Sequence, residues 1–455
     1  MLENMLADEL HRLVKQRLDS GESPSLEDAT AVFMAYRLAI VVGESEASDI
    51  SAQDALLTTV ALARRVFLGG VAVAGPLDVP LVSKVVRATS LREAIKILGA
   101  TDDCANLDGL PQVLIGQTTA RRPSGFCVRV VYSDWRGGVT HRDGLFERSS
   151  EPIMPLAPML GAALAVSEAF SAVQGQTSLP GRRSVGMSLW EPAQQNWLAY
   201  QPGAPRLQFL PSQLWLIGLG HLGQAYLWGL GLLPYRDPQA LRLVLQDFDT
   251  ITPSTESTSI LSGVSMVGQK KTRAMAAWAE ARGFQAEIVE RRFAADFRRQ
   301  ADEPGVALSG IDNAIGRRAL DQVGFHLVIE AGLGRGHEDF RSLRIHTLPS
   351  KRNAADIWKA SPPRQGASER PAYQNLLNSK LLDQCGVTLL AGKAVGAPFV
   401  GAVAATLVLS ELLRFLHGGT LHSLVDVDLN SVDHRSALTT EIDFAGLNPG
   451  YVALL

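Results

Sequence analysis

The chain has 455 residues, of which 46% are hydrophobic and 20% are charged. This composition is typical of a folded globular protein and excludes a mostly disordered chain, and the length predicts two or three domains. The 43 Lys and Arg residues against 46 Asp and Glu residues leave a net charge of −3. No overall basic field exists to attract nucleic acid, so we expect no nucleic-acid partner.

The start of the chain and its cysteines favour a cytoplasmic protein. The first 15 residues follow the pattern of an amphipathic helix rather than that of a signal peptide. The longest apolar run, 399–409, is too short to span a bilayer, so we expect no membrane partner. Cys104, Cys127 and Cys385 form no CxxC pair, which argues against structural zinc and against a disulfide framework. We therefore expect free thiols in a reducing compartment.

The first half of the chain is predicted to mix helices with short strands. Its predicted elements, in chain order, are two helices within 1–40, strand-like or helical segments between 60 and 116, a strand at 126–133, a helix at 158–173 and a strand at 184–190. The stretch 174–211 is otherwise rich in Gly, Pro, Gln and Ser, which is typical of a connection. We place a domain boundary there, giving domains 1–205 and 206–455.

The second half alternates strands with helices much more clearly. Buried strand patterns occur at 214–217, 242–247, 286–290, 305–310 and 326–332, and a helix is predicted around 269–282. This alternation predicts an α/β domain of the Rossmann type with a mostly parallel sheet.

A weak internal repeat links the two halves. Pro158-Met-Leu-Gly161 and Pro398-Phe-Val-Gly401 each start an apolar helix that later carries a Ser-Glu pair, and each helix lies between two strand patterns. This order indicates a duplication, in which the first half is a degenerate copy because it has no intact glycine motif.

A glycine motif opens the second half. Gly218-Leu-Gly220-His-Leu-Gly223 follows a strand and begins a helix. Glycines let the backbone approach phosphates, and the amides and dipole at a helix start favour negative charge. The strand–turn–helix context predicts a nucleotide site here, whereas a tight turn without a ligand is the alternative.

Three charged motifs follow the glycines in chain order. They are Asp247-Phe-Asp249 at the next strand end, Gly268-Gln-Lys-Lys271 at a helix start, and Asp312-Asn313-Ala-Ile-Gly-Arg317 after a later strand. The first acidic residue could bind ribose hydroxyls, so a nicotinamide dehydrogenase remains one of the possible functions at this point. A lysine near a polyphosphate and a carboxylate placed for Mg²⁺ instead favour ATP.

Together these motifs resemble the ThiF/MoeB superfamily, the enzymes that activate ubiquitin-like proteins and sulfur carriers. The family order is GxGxxG, DxD, GxxK and DNxxxR, and this chain has GLGHLG, DFD, GQKK and DNAIGR. The resemblance covers roughly 211–430. It implies an ATP site formed by the residues Gly218, Gly220, Gly223, Asp247, Asp249, Lys271, Asp312, Asn313 and Arg317. Among these, Asp247 would bind the ribose, Lys271 a phosphate and Asp312 the Mg²⁺ ion.

The sequence around Cys385 is a further resemblance to this superfamily, whereas Thr258 departs from the family pattern. The stretch LDQCGVT around Cys385 resembles the thioester-cysteine motif of autophagy-type activating enzymes, in which a thiolate accepts the acyl group. Lys380 and Lys393 flank this cysteine, and we interpret Cys104 and Cys127 as structural. The family usually has NxxR downstream of DxD, but Thr258 stands at the place of its arginine. The polar segment 349–385 is predicted to be a crossover loop over the nucleotide.

The resemblance implies a two-step reaction. A ubiquitin-like protein with a C-terminal glycine would be adenylated with ATP and Mg²⁺, then transferred to Cys385 as a thioester and handed to a conjugating enzyme. Two alternatives remain at this point: a sulfur-carrier adenylyltransferase without the thioester step, and a catalytically weak scaffold. The absence of zinc-binding CxxC pairs speaks against the sulfur-carrier branch. A homodimer is also open.

Overall fold

The computed structural model describes residues 8–103, 107–119, 125–147, 149, 151–359, 369–379 and 381–454. The helices of the first half are α1 (Lys15–Ser20), α2 (Leu26–Ala35), α3 (Ile50–Ala63), α4 (Leu91–Ile97) and α5 (Leu156–Gln174). Its strands are β1 (Leu38–Val42), β2 (Val71–Ala74), β3 (Gln112–Ile115), β4 (Cys127–Ser133), β5 (Arg136–His141) and β6 (Val185–Ser188).

The second half begins with a short strand that pairs with the end of the chain. Its helices are α6 (His221–Leu232), α7 (Pro253–Glu256), α8 (Lys271–Glu280), α9 (Ala314–Arg317), α10 (Ala354–Ile357), α11 (Pro371–Asn378), α12 (Gln384–Gly392) and α13 (Pro398–Leu416). Its strands are β7 (Phe209–Pro211), β8 (Gln213–Ile217), β9 (Arg242–Gln246), β10 (Gln285–Val289), β11 (Val306–Ser309), β12 (Leu327–Leu333), β13 (Ser342–Leu348), β14 (His422–Asp428), β15 (Ser436–Thr439) and β16 (Tyr451–Ala453).

The two halves repeat one sheet topology. The first sheet has the order β2-β1-β3-β4-β5-β6, and the central part of the second has the order β9-β8-β11-β12-β13-β14. In both, the first four strands are parallel and the last two are antiparallel. The second sheet adds β10 and β15 at its edges. The predicted α/β class is therefore confirmed, and the two halves share the strand order that a duplication predicts.

Four apolar helices form the core between the two sheets. α5 packs against α3 and α13, and α13 packs against α6. α5 and α13 are 19 residues long with mean hydropathies of 1.6 and 1.8, which is enough by length and composition to cross a membrane. However, 83% and 89% of their apolar windows are buried inside the protein, as in the core helix of a globular fold.

The repeated Ser-Glu pairs have equivalent structural roles. The Glu168 carboxylate on α5 accepts a hydrogen bond from the Gly181 N–H at 3.2 Å. The Glu411 carboxylate on α13 accepts one from the His422 N–H, and it pairs with Arg414. Each buried carboxylate thus holds the chain where it returns towards the next strand, which explains why the pair occurs in both halves.

Several predicted boundaries need correction. The prediction of helices up to residue 40 is wrong at its end, because Leu38–Val42 is a buried strand that lies between β2 and β3 in the first sheet. The crossover segment 349–385 contains α10 and α11, so its described part is not a plain loop. Cys104, Lys380 and residues 360–368 lie outside the described residues.

The N-terminal segment of the first half packs against the second half. The Tyr373 hydroxyl on α11 donates to the Asp19 carboxylate at 2.5 Å, and the buried Lys15 ammonium lies 2.5 Å from the other oxygen of that carboxylate. The Asn375 side chain donates to the Pro24 carbonyl. The division at residues 205 and 206 stays a prediction, and these contacts cross it.

Candidate functional site

A cavity of about 300 Å³ lies at the carboxyl ends of β8, β9 and β11. In open α/β sheets, this edge is where ligands bind, because the strand ends and helix starts meet there. The cavity is lined by all but one of the predicted nucleotide residues; these lining residues are Gly218, Gly220, Asp247, Asp249, Lys271, Asp312, Asn313 and Arg317. The fold therefore brings together motifs that lie up to about a hundred residues apart in the chain.

Gly223, the remaining predicted residue, shapes the cavity from behind. A Cβ atom at Gly223 would lie 2.0 Å from the Gly218 carbonyl oxygen, so only glycine allows α6 to start so close to β8. Gly218 itself has φ of +84°, a left-handed conformation that favours glycine. Among the residues that the structure describes, no side chain caps the first turn of α6. Its amides are thus left to face the cavity, as an anion-binding helix start requires.

The acidic motif after β9 holds the glycine loop. The Asp247 carboxylate accepts hydrogen bonds from the Leu219 N–H at 2.6 Å and from the Phe248 and Asp249 N–H groups. The Lys271 ammonium pairs with Asp249 at 3.0 Å, and it lies 3.9 Å from where a Cβ at Gly220 would be. A cation therefore lies beside the glycine loop, where a phosphate would be bound.

The three polar side chains of the motif after β11 have different roles. The Asp312 carboxylate is exposed towards the cavity, and the Arg335 guanidinium donates to the Asp312 carbonyl at 3.2 Å. The Asn313 side chain caps α9 by accepting from the Gly316 N–H at 2.8 Å. The Arg317 Nε donates to the Ile311 carbonyl and lies 2.7 Å from the fully buried Glu330 carboxylate. Asn313 and Arg317 thus hold the loop that presents Asp312.

Arg12 is a cavity residue that the sequence analysis missed. Its guanidinium Nη2 donates to the Ser254 hydroxyl at 3.0 Å, and its N–H donates to the Ser257 hydroxyl at 3.1 Å. The other terminal nitrogen, Nη1, is buried and has no hydrogen-bond partner among the described residues. Burial lowers the pKa of Arg12, and the nearby Asp8 and Asp312 carboxylates oppose that shift. An unpartnered cationic donor thus lies in the cavity wall.

Arg12 stands where the family arginine is missing. Thr258 and Ser259 line the same wall as Ser254, and the Thr258 methyl lies 3.0 Å from where a Cβ at Gly396 would be. The wall therefore combines small hydroxyl side chains with one arginine from the N-terminal segment. No sequence signal distinguishes Arg12, because a charged residue beside an apolar helical stripe is usually a solvated one.

The histidine inside the glycine motif joins two helix starts. The Nε2 atom of the half-buried His221 side chain is shielded from solvent, and a Cβ at Gly401 would lie 2.3 Å from this atom. Burial lowers the pKa of His221 to about 4, and hydrogen bonding to the Pro398 and Ala397 carbonyls opposes the shift. The ring is therefore neutral at pH 7, and it fixes the start of α6 against the start of α13.

An aromatic and cationic pair closes another part of the cavity. The Arg292 guanidinium lies 4.1 Å from the centre of the Phe248 ring, and Phe293 and Ile311 line the wall beside them. Flat apolar and cationic faces of this kind suit a planar, electron-rich ligand group.

Cys385 lies on α12, outside the cavity lining. Its side chain is exposed in the first turn of the helix, where the Asp383 carboxylate accepts from the Gly386 N–H. Gly392 ends the helix seven residues later, a rise of about 10 Å, and residues 394–397 that follow do line the cavity. Lys393 caps the opposite end of this helix, where its ammonium lies 3.6 Å from the Asp8 carboxylate.

Cys127 differs from Cys385 in its surroundings. It is buried in the first sheet, and burial raises the pKa of its thiol to about 11. A thiol with so little thiolate at neutral pH is a poor nucleophile, which agrees with a structural role.

The class of this doubled α/β fold, with its glycine-lined cavity in the second half, is given by a family match to E1-like proteins. The chain belongs to the BilD family within that class: residues 210–419 match the BilD C-terminal domain and residues 37–189 the BilD N-terminal domain. It is 47% identical over 415 residues to the bacterial E1-like protein BilD of Collimonas sp. (strain OK412), a match that covers 90% of this chain and 89% of the relative.

Solved structures are more distant. E. coli MccB matches with a TM-score of 0.33 and 11% identity, over 50% of this chain and 63% of that chain. Its complex with ATP has a TM-score of 0.31 at 11% identity, covering 50% of this chain and 64% of that one. PaaA has a TM-score of 0.35 at 13% identity, also over 50% and 64%. The fold is assigned from the topology of the chain itself.

Proposed function

We propose that this protein activates a ubiquitin-like protein by adenylating its C-terminal glycine with ATP, then carries the product as a thioester on Cys385. The observation that carries the proposal is the cavity, where the open start of α6, Lys271 and Asp312 converge. Membership of a family named for E1-like proteins supports the reaction class. A conjugating enzyme is the expected recipient of the thioester.

The first step needs positive charge around the phosphates of ATP. The substrate carboxylate attacks the α-phosphorus, a new O–P bond forms, and pyrophosphate leaves. The α6 amides, Lys271 and Arg12 are placed to stabilise the charge on the phosphate oxygens during this transfer. Phe248 and Arg292 provide the flat surface on which the adenine ring would stack.

Asp312 is the residue that fits a magnesium ion. Magnesium in phosphate-transfer sites is usually held by one or two carboxylates together with substrate phosphates, rather than by a protein cage. The described residues contain no group of three His, Cys, Asp or Glu side chains that would form such a cage, whereas Asp312 faces the cavity. When bound, the ion would neutralise charge that builds up on the phosphates.

The second step requires Cys385 to approach the adenylate. Its thiolate attacks the acyl carbonyl, a C–S bond forms, and AMP leaves. Because Cys385 lies at the far end of α12 from residues 394–397, either this helix moves or the carrier tail reaches across to it. The exposure of Cys385, in contrast to the burial of Cys127, supports Cys385 as the acceptor.

A gel assay with the full chain, ATP, Mg²⁺ and candidate carriers ending in glycine tests both steps. A thiol-sensitive adduct should form with wild type and vanish in Cys385→Ala, while pyrophosphate exchange persists because the first step does not use sulfur. Cys127→Ala is the matched control and should keep the adduct. Exchange without any thiol-sensitive adduct would contradict the thioester step and assign the protein to the sulfur-carrier adenylyltransferases.

A further inference from the structure

The first half contains a counterpart of the nucleotide cradle. Gly43 follows β1 and Gly116 follows β3, at the positions that Gly218 and Gly310 occupy after the equivalent strands β8 and β11. The Gly43 N–H donates to the last carbonyl of β3 at 2.9 Å, so the two strand ends lie side by side. The repeated topology therefore forms the same crevice twice.

Glu46 fills the crevice of the first half. A Cβ at Gly43 would lie 2.3 Å from one Glu46 carboxylate oxygen, and a Cβ at Gly116 would lie 2.3 Å from its carboxyl carbon. The other carboxylate oxygen accepts from the Gln117 N–H at 3.0 Å. Two glycines thus make room for a carboxylate of the chain itself, and a backbone amide at a strand end binds it.

The neighbouring helix start is also occupied. α3 is the counterpart of α6, and the Asp49 carboxylate caps it by accepting from the Ala52 N–H at 2.8 Å. A short 3₁₀ turn, Glu46–Ser48, lies between the crevice and this cap. In the second half, by contrast, no side chain among the described residues caps α6. At the helix start, the amides that would meet a phosphate are therefore satisfied by a carboxylate in the first half and left open in the second.

We propose that the first-half crevice is an oxyanion site whose ligand is the chain's own Glu46 carboxylate. The carboxylate takes the place of a phosphate. The first half is therefore folded without a bound nucleotide, and it does not bind one. Removing the Glu46 side chain beyond its Cβ would leave an anion site that an external oxyanion can fill. The proposal concerns the first half only and does not depend on the activity proposed for the second.

The test compares thermal unfolding of the full chain in inorganic phosphate and in sodium chloride at equal ionic strength. Glu46→Ala removes the carboxylate and leaves its place in the crevice open. In chloride we expect its unfolding midpoint to fall by about 2–4 °C, the shift that corresponds to about 1 kcal/mol in a unit of this size. Phosphate should then raise the midpoint of this variant by more than it raises that of wild type.

Glu44→Ala is the matched control, because Glu44 is an exposed neighbour on the same loop. It should respond to phosphate as wild type does, since any response from the second half is common to all three proteins. An equal phosphate response in all three would overturn the proposal, as would a Glu46→Ala variant with the wild-type midpoint in chloride. If Glu46→Ala refolds only in phosphate, the proposal is supported; if it refolds in neither, it is contradicted.

Discussion

Arg12 brings a cationic donor into a wall of hydroxyl groups, and its Nη1 atom has no partner among the described residues. A buried guanidinium nitrogen without a partner is costly, so a site that retains it is expected to receive an anion there. The Ser254 hydroxyl fixes the direction of the guanidinium. At the scale of single residues, Arg12 is therefore our assignment for the cation that Thr258 cannot supply.

Replacing Arg12 tests this assignment. Arg12→Ala should lower pyrophosphate exchange on the order of 10²-fold, because a preorganised donor to a charged oxygen is lost. Arg12→Lys should recover part of the rate, since it restores the charge without the planar fork. Arg17→Ala is the control, because Arg17 lies on α1 and pairs with Glu22 away from the cavity. Equal rates for Arg12→Ala and Arg17→Ala would show that Arg12 does not contact ATP.

At the scale of elements, the starts of α6 and α13 pack against each other because the His221 ring on α6 fits beside Gly401 on α13, which has no side chain. A methyl group at Gly401 would collide with the His221 ring at 2.3 Å. Gly401→Ala should therefore destabilise the protein, by roughly 1–3 kcal/mol as for other overpacked cores. In the double variant His221→Ala with Gly401→Ala, the collision is gone, so the double variant should be more stable than the sum of the single effects predicts.

Urea unfolding of the four proteins measures this coupling. Gly392→Ala is the control for adding a methyl group, because nothing lies within 4 Å of that position on α12. It should be neutral or stabilising, since alanine has the higher helix propensity. If the changes in the free energy of unfolding for His221→Ala and Gly401→Ala are strictly additive in the double variant, the two positions do not pack against each other as described.

Elements with a strong local pattern could be predicted from sequence, whereas those decided by tertiary packing could not. The strands β8 to β12 and the glycine loop were predicted because their apolar runs and turn residues are local signals, whereas β7, β15 and β16 were not predicted. β1 was not predicted, because a short apolar run next to a helix shows no hydrophobic periodicity that would distinguish a strand from the end of that helix. Arg12 was missed for a different reason: its role depends on contact with residues more than two hundred positions away.

At the scale of the whole molecule, burial makes stability depend on pH with opposing signs. Burial raises the pKa of Asp54 on α3 to about 7, whereas it lowers the pKa of both His11 and His221 to about 4. A raised acid pKa costs stability as pH rises towards 7, because the folded state must lose a proton that it binds more tightly than the unfolded state does. The two histidines act the other way, and their contribution is lost as pH falls below 6.5.

The variant Asp54→Asn separates the effect of Asp54 on the pH dependence of stability from the opposite effect of the two histidines. Because asparagine imitates the protonated carboxyl, the variant should gain stability over wild type as pH rises from 4 to 7, by on the order of a few kcal/mol. It should also lose stability more steeply than wild type on acidification, since only the histidine effect remains. Chemical unfolding at pH 5, 6, 7 and 8 gives both curves. Parallel curves for wild type and Asp54→Asn would contradict the raised pKa of Asp54. Asp302→Asn is the matched substitution at an exposed position.

The central claim, that the second half adenylates a carrier, is tested most directly by ATP–pyrophosphate exchange with the full chain and candidate carriers that end in glycine. We predict exchange that requires Mg²⁺ and an intact C-terminal glycine on the carrier, and that falls on the order of 10²-fold in Asp312→Ala while the variant unfolds at the wild-type temperature. Exchange that does not depend on the carrier's glycine, or an Asp312→Ala variant as fast as wild type, would contradict this account.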